Sequence, residues 1–477
     1  MEPTSHAFKA NAHRALGDAN LQRAMTMMRT GFPEKRAQAI ARLPEFDALR
    51  DEGIAIKNHV IAHLDFYLER FEQNVVAHGG KVHWCRNAQE ACETVLSLCR
   101  TLGAKTVTKG KSMIGEEIAI NDYLEKNGIT PVETDLGEYI VQIRHEPPSH
   151  IIAPAVHLVK EQVADSFRAT HTHLPHDRPL VEPQVMTDEA RKVLRQKFLA
   201  ADVGITGANF LIAETGSSII VTNEGNGDLT QSLPKAHIVL ASLEKVVPTL
   251  EDASTLLRLL ARSATGQEFS TYTTVSTGPR RAGDLDGPGE YHVVLLDNGR
   301  SALLGGEFQD MLRCIRCAAC LNHCPVYGAI GGHAYGWVYS GPMGAVLTPT
   351  LIGIEEAGNL PNASTFCGRC ESVCPMRIPL PNMMRQWRER EFSKHLSPVT
   401  QRWGLALWAF AVRRPALYRP LSALAARVLG FFGSGRGRFR ALPLAGGWTD
   451  VRDMPAPEGK SFMTLWAERQ RKARRAS

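Results

Sequence analysis

Apolar positions recur at helical spacing through the first 70 residues, so the chain is expected to open on helices. Ala91, Val95, Leu98 and Leu102 then fall on one stripe and predict a helix over Gln89 to Leu102. A short strand, Thr106 to Thr108, follows it. Lys109-Gly-Lys-Ser-Met-Ile-Gly-Glu-Glu opens a second helix, and Asn127-Gly128 is its stop signal. Val132-Glu-Thr, Tyr139-Ile-Val-Gln-Ile, Phe210-Leu-Ile-Ala-Glu, Ile219-Ile-Val-Thr, Ala236-His-Ile-Val-Leu-Ala and His292-Val-Val-Leu-Leu all read as strands. Short apolar strands separated by helices imply an α/β domain with a largely parallel sheet, and the N-terminal helices are expected to pack against it.

The texture changes from about Gly305 to Pro381, which is dense in cysteine, glycine and proline and predicts few regular elements. From Asn382 onward the pattern is helical and then rich in glycine and arginine. The chain thus divides into a helical segment (residues 1–69), an α/β domain (70–304), a cysteine-rich domain (305–381) and a basic helical C-terminal region (382–477). No repeat of solenoid period runs through it.

Charge sharpens the last boundary. The net charge is only +6, yet residues 385–477 hold 19 basic and 6 acidic side chains, while residues 1–384 hold 36 and 43. A segment of net +13 is joined to a body of net −7. Trp403, Trp408, Phe410, Leu417 and Leu421 are mixed with Arg413, Arg414, Arg419 and Arg427. That pattern suits the inner face of a membrane or an acidic partner protein. Docking on the acidic body is the plainer alternative. Nucleic acid is disfavoured, because no recognised motif accompanies the charge. The longest apolar run, Trp403 to Val412, falls short of the ~18 residues needed to span a bilayer. Met-Glu-Pro-Thr-Ser-His has none of the marks of a signal peptide, so the chain is expected to be cytoplasmic. Ten cysteines in a reducing compartment point to metal ligation or burial rather than disulfides.

Seven of the ten lie between positions 314 and 374. Cys314-Ile-Arg-Cys317-Ala-Ala-Cys320-Leu-Asn-His-Cys324-Pro325 is C-x2-C-x2-C-x3-C-P, the bacterial ferredoxin run. Cys367-Gly-Arg-Cys370-Glu-Ser-Val-Cys374-Pro375 is a shortened copy. Two intervening residues let a chain wrap one corner of an iron–sulfur cube, and the fourth cysteine of such a run serves the other cluster. Cluster one would take Cys314, Cys317, Cys320 and Cys374 as a [4Fe–4S] centre. Cluster two would take Cys324, Cys367 and Cys370, one thiolate short, with Ser364 where the fourth would stand. It is therefore a [3Fe–4S] centre, or a [4Fe–4S] centre completed by Ser364 or an exogenous ligand. Structural zinc also accepts C-x2-C pairs, but it has no use for the third cysteine or the C-P ending.

Other constellations are weaker. Cys85, Cys92 and Cys99, spaced by seven, are expected along one buried helical face. His171, His173 and His176 read as loop histidines, because no acidic residue sits at ligand spacing and two prolines are close by. Lys109-Gly-Lys111-Ser112 lacks P-loop spacing and reads equally as a helix capped by Ser112, with Glu116 and Glu117 in its first turns. Glu214-Thr-Gly-Ser-Ser follows a strand, as ligand-binding turns of α/β folds do.

Lys111-Ser-Met-Ile-Gly-Glu-Glu, Val132-Glu-Thr-Asp-Leu-Gly-Glu-Tyr, Glu214-Thr-Gly-Ser-Ser-Ile-Ile-Val-Thr-Asn-Glu-Gly-Asn, both cysteine groups and Cys374-Pro-Met-Arg-Ile-Pro-Leu-Pro together resemble the LutB-type lactate utilization proteins over nearly the whole chain. The resemblance implies a lactate-utilization (LUD) α/β domain, a ferredoxin-like two-cluster insert and a family C-terminal region. It also implies a role in oxidising L-lactate to pyruvate with companion subunits, and a second cluster that lacks a cysteine at position 364. No flavin or nicotinamide fingerprint is present and no hydroxyacid base stands out, so this chain is expected to carry electrons rather than catalyse. A standalone organic-acid oxidoreductase and an iron–sulfur redox sensor are the alternatives.

Overall fold

A computed structural model describes residues 3–443, 446–449 and 452–476. They fall into two compact units, Met1–Arg390 and Glu391–Ser477. The strands of the larger unit are β1 (Lys81–Cys85), β2 (Thr106–Gly110), β3 (Thr130–Glu133), β4 (Val203–Thr206), β5 (Phe210–Ile212), β6 (Ser217–Thr222), β7 (Ala236–Ser242), β8 (Val246–Val247), β9 (Tyr272–Ser276) and β10 (Glu290–Leu296).

Six of them form one sheet in the order β1-β10-β7-β4-β2-β3, with every neighbouring pair parallel. The central strands β4 and β7 are buried along their whole length, as befits continuous apolar runs covered on both faces. The chain runs outward through β2 and β3 and then returns through β4, β7 and β10. Neighbours β2 and β4 are thus left in opposite directions, and α/β sheets bind ligands at such a switch point.

The expected strands around 210 and 219 belong elsewhere. They form an antiparallel hairpin in a second sheet of order β8-β5-β6-β9. Gly216 makes that turn possible: its φ is +66°, and a Cβ there would stand 2.4 Å from the Val75 nitrogen.

One expected strand is a helix. Tyr139-Ile-Val-Gln-Ile lies within Leu136–Ile143, because Asp135 accepts the N–H groups of Gly137 and Glu138 and starts a helix there. The Asn87 side chain likewise caps the helix Ala88–Thr101, whose Ala91, Cys92, Val95, Leu96 and Cys99 are buried under the sheet. Cys85 is not on that helix: it ends β1, so only Cys92 and Cys99 share the expected face. All three are buried, and burial pushes the Cys92 and Cys99 thiols up to about 11 and about 12.

The N-terminal helices are Phe8–Gly17, Ala19–Ala41, Phe46–Ala62 and Leu64–Ala77. Only the last lies mainly against the sheet strands, with Leu68 and Phe71 under Val239 and Val293. The other three pack on the cysteine-rich region and on the helix Leu250–Ala264, in one core with Met25, Phe46, Leu256 and Tyr327. That region is also more regular than its glycine and proline content suggests. Gly341–Ile352 is helical with nine buried residues, and Pro342 sits in its first turn, where no N–H is missed.

The smaller unit holds the helices Val399–Val412, Pro415–Gly433 and Phe462–Ala476. None of the residues of Val399–Val412 is buried, and Trp403 is 74% exposed. Among the described residues no helix is long and apolar enough to cross a membrane.

Candidate functional site

The two cysteine loops are backbone copies. Arg316 and Ala318 have φ of 61° and 60°, and fifty residues on, Phe366 and Gly368 have φ of 54° and 76°. Each loop then enters a single helical turn, Ala319–Asn322 in the first and Arg369–Ser372 in the second. Left-handed backbone is unfavourable for Arg, Ala and Phe, so both loops are held in a shape the chain would not adopt freely. Ser364 occupies the place that Cys314 takes in the first copy.

Cys314, Cys317, Cys320 and Cys374 line one cavity, walled by Ile151, Met343, Met376 and Ile378. Cys317, Cys320 and Cys374 are buried, and Cys314 is half-buried. Burial, and then the closeness of Cys374 and Cys314, push the Cys317 thiol up. Burial and four neighbouring thiols do the same to Cys320. Among the described residues no three His, Cys, Asp or Glu side chains are drawn close enough to hold a single metal ion. The four sulfurs surround a space instead, and soft thiolates around a dry, apolar bed suit an iron–sulfur group. Cations flank that bed. Arg50 donates to the Cys374 carbonyl at 2.7 Å, and Arg36 to that of Val373 at 2.8 Å.

Cys324, Cys370 and Cys367 form a second neighbourhood. Cys370 is pushed up to about 12 by burial and then by Cys324, with Cys367 adding to it. The Cys324 sulfur caps the helix Pro325–Ile330 and accepts the Tyr327 N–H. Cys367 is exposed, and the N–H of Arg369 holds its thiol below the usual range. Ser364 is half-buried, and its hydroxyl accepts the Phe366 N–H at 3.1 Å.

Behind the first cysteine loop lies a buried charge network that no local pattern announces. Glu117 pairs with Arg300 at 2.6 and 2.9 Å and accepts the Tyr339 hydroxyl at 2.7 Å. Arg300 reaches Glu244 at 3.2 Å, and Glu244 holds Arg316 at 3.2 Å. The α/β sheet is thereby tied to the Cys314–Cys317 loop through paired charges. Ser112 caps its short helix as expected, accepting the Gly115 N–H at 3.0 Å. The loop histidines are not alike: His171 is buried between Glu189 (2.6 Å) and the Tyr139 hydroxyl (2.8 Å), whereas His173 and His176 are exposed or half-exposed.

His150 adds a pH dependence. It is buried, its Nε2–H donates to Asn322 at 3.0 Å, and its Nδ1 accepts the N–H groups of Ile152 and Ala153. Burial pulls its pKa down to about 4. The unfolded ring titrates near 6.5, so between the two values the unfolded chain binds a proton that the folded one refuses. Stability is full above about pH 6.5 and falls as pH drops toward 4, by about 3 kcal/mol for this ring. Urea midpoints measured across that window should show the loss, and His150→Phe should lose less than the parent.

Comparison with known proteins matches three segments of the chain. The LUD domain family matches residues 68–296, the 4Fe-4S dicluster domain 310–378, and the C-terminal domain of lactate utilisation protein B 377–471. The dicluster match spans both cysteine groups. Lactate utilization protein B of Lysinibacillus sphaericus is 41% identical over 97% of this chain and 97% of its own. Its namesake in Bacillus velezensis is 42% identical over 99% of this chain and 98% of its own. The Bacillus subtilis protein of that name is 40% identical over 98% of each.

Proposed function

The chain belongs to the lactate utilization protein B family, and from that footing we propose that it is the iron–sulfur electron-carrying subunit of a complex that oxidises L-lactate to pyruvate. The observation that carries the reading is the ring of four thiols around one apolar cavity, inside the segment matched by a two-cluster domain. Cys314, Cys317, Cys320 and Cys374 hold a [4Fe–4S] cluster, and Cys324, Cys367 and Cys370 hold the second. When bound, these groups supply one-electron storage. The chain's own part is to keep the first bed dry, to offset thiolate charge with Arg36, Arg50 and Arg316, and to leave the Cys367 side open to a partner subunit.

Anaerobic purification of the tagged chain should bring the companion subunits with it, and adding L-lactate to that preparation should bleach the cluster absorbance. If the isolated chain oxidised lactate on its own with an artificial acceptor, it would be the catalyst and not the carrier.

The second cluster should differ from the first. A serine hydroxyl is a poor iron ligand beside thiolate, so the iron facing Ser364 is labile. Anaerobic protein should hold about eight irons and air-exposed protein about seven, with a [3Fe–4S] paramagnetic signal. Ser364→Cys should suppress that signal and retain the iron. Equal iron loss from both clusters would place some other ligand at that corner.

The basic unit supports peripheral attachment to an anionic membrane, because its exposed Trp403, Leu407 and Trp408 share the helix Val399–Val412 with Arg402, and Arg413 caps its end. Flotation with anionic vesicles should weaken as salt rises and on truncation after Arg390. Binding unchanged by either treatment would leave the unit to protein packing.

A further inference from the structure

Of the seven cysteines in the two groups, Cys367 is the exposed one. The charge around it runs against the rest of the body. Residues 1–384 carry a net charge of −7, yet the charged side chains of 321–328 and 361–375 are only Arg369 and Glu371. Neighbouring helices add cations. Arg29, exposed on the helix Ala19–Ala41, lays its stem against the helix that Cys324 caps: a Cβ at Gly328 would stand 2.8 Å from the Arg29 Cγ and Cδ. Arg388, on the helix Leu380–Ser393, donates to the carbonyls of Pro361 at 2.9 Å and Ser364 at 3.2 Å. Arg369 is exposed, and its charge reaches both Cys367 and Arg36. Among the described residues neither Arg29 nor Arg369 has an acidic partner, and the Arg29 guanidinium meets only the Thr26 hydroxyl, at 3.0 Å. Three arginines thus stand against one glutamate around the exposed thiol.

An aromatic ring sits among them. Phe366 precedes Cys367, is 41% exposed and has a φ of 54°. Left-handed backbone is unfavourable for phenylalanine, and so is leaving its ring in water. Arg316, at the same place in the first loop, has the same backbone but a side chain only 10% exposed. Within the chain the Phe366 ring is met by Arg388, 4.0 Å from its centroid. Strain of this kind gathers at functional sites, and aromatic rings set among arginines are the composition of interface centres.

We propose that the Phe366–Cys367 face docks the acidic side of a one-electron redox protein, which covers Phe366 and brings carboxylates to Arg29, Arg369 and Arg388. In the docked pair one electron crosses between the second cluster and the partner's redox centre. One is oxidised as the other is reduced, and no bond is made or broken. The proposal rests on the carrier reading and adds the chemistry of the partner. Most of the body repels an acidic protein, so the basic face also selects the side from which it approaches.

The test uses the full-length, cluster-loaded protein without oxygen, and its probes are an acidic flavodoxin, a basic cytochrome c and ferricyanide. Association with the flavodoxin, followed by surface plasmon resonance, should be fast at low salt and fade as ionic strength rises. Arg29→Glu combined with Arg369→Glu should slow it by about 10-fold at low salt, and by little at ~1 M, where charges are screened beyond about 3 Å. After chemical reduction, the same pair should slow re-oxidation by ferricyanide and speed re-oxidation by cytochrome c. Phe366→Ala should loosen the flavodoxin but leave the ferricyanide rate near that of the parent, because the small anion reads charge alone. Iron content and cluster spectra confirm that each variant is loaded. Lactate has no part in these measurements, so a failed carrier reading shows as unbleached clusters in the lactate assay and not here. Equal flavodoxin association in the parent and the double variant, or tighter binding of cytochrome c than of flavodoxin by the parent, would overturn the proposal.

Discussion

Cys317→Ser is expected to abolish growth on lactate while sparing growth on sugar. Cys317 is the middle cysteine of the C-x2-C-x2-C run, is only 8% exposed, and lies between two left-handed residues. Serine is close in size, so packing around Met343 and Met376 is little changed and the loss falls on ligation. With Cys317 as a ligand of the proposed first cluster, oxygen in place of a soft thiolate should leave that cluster unassembled and the proposed electron path broken. Complementation of a strain that depends on this chain for lactate growth is the measurement, with the variant's level checked by blotting. Wild-type growth from a stably expressed variant would remove Cys317 from the pathway.

Glu117→Gln should cost about 3–5 kcal/mol of stability, the typical penalty for breaking one member of a buried ion pair. Burial alone would raise this carboxyl, yet Arg300, Tyr339 and Asn298 together hold it below the usual range. The amide keeps the shape but cannot meet both guanidinium nitrogens or offset their charge. Arg300 would then depend on Glu244, which already serves Arg316. Arg23→Ala, at an ion pair more than half exposed on both sides, is the control and should cost under ~1 kcal/mol. Urea midpoints compare the two. Similar losses would mean that the network is no more than surface charge turned inward.

Legibility followed the range of the interactions. The ferredoxin run was readable because its spacing is local: only two residues separate successive cysteines of Cys314, Cys317 and Cys320. The parallel strands Ala236 to Ser242 and Glu290 to Leu296 were readable as apolar runs, but their adjacency in the sheet was not, since 47 residues separate the last of one from the first of the other. Tyr139-Ile-Val-Gln-Ile has strand-like side chains, and a single aspartate, Asp135, turned it into a helix; Asp135 followed by Glu138 was the available sign. Cys85 fitted a heptad with Cys92 only because the β1–helix junction happens to fall between them. The Glu117–Arg300–Glu244–Arg316 network was beyond reach, because its members are paired across 183, 56 and 72 residues. Nothing near Arg316 in sequence says that its charge faces a cavity.

The seating of the N-terminal helices sets a timetable for biosynthesis. Ser5 donates to the carbonyl of Glu356, a separation of 351 residues, and Gln22 donates to that of Ala329. At about 5–20 residues per second, roughly 20 to 70 seconds pass between the emergence of these helices from the ribosome and the arrival of the surface they cover. During that interval the apolar face with Met25 and Met28 lacks the part of its native cover that the cysteine-rich region supplies. Closure of the N-terminal helices is therefore a late event, and a chain cut short before Ala329 would expose its first helices as a sticky, protease-sensitive arm.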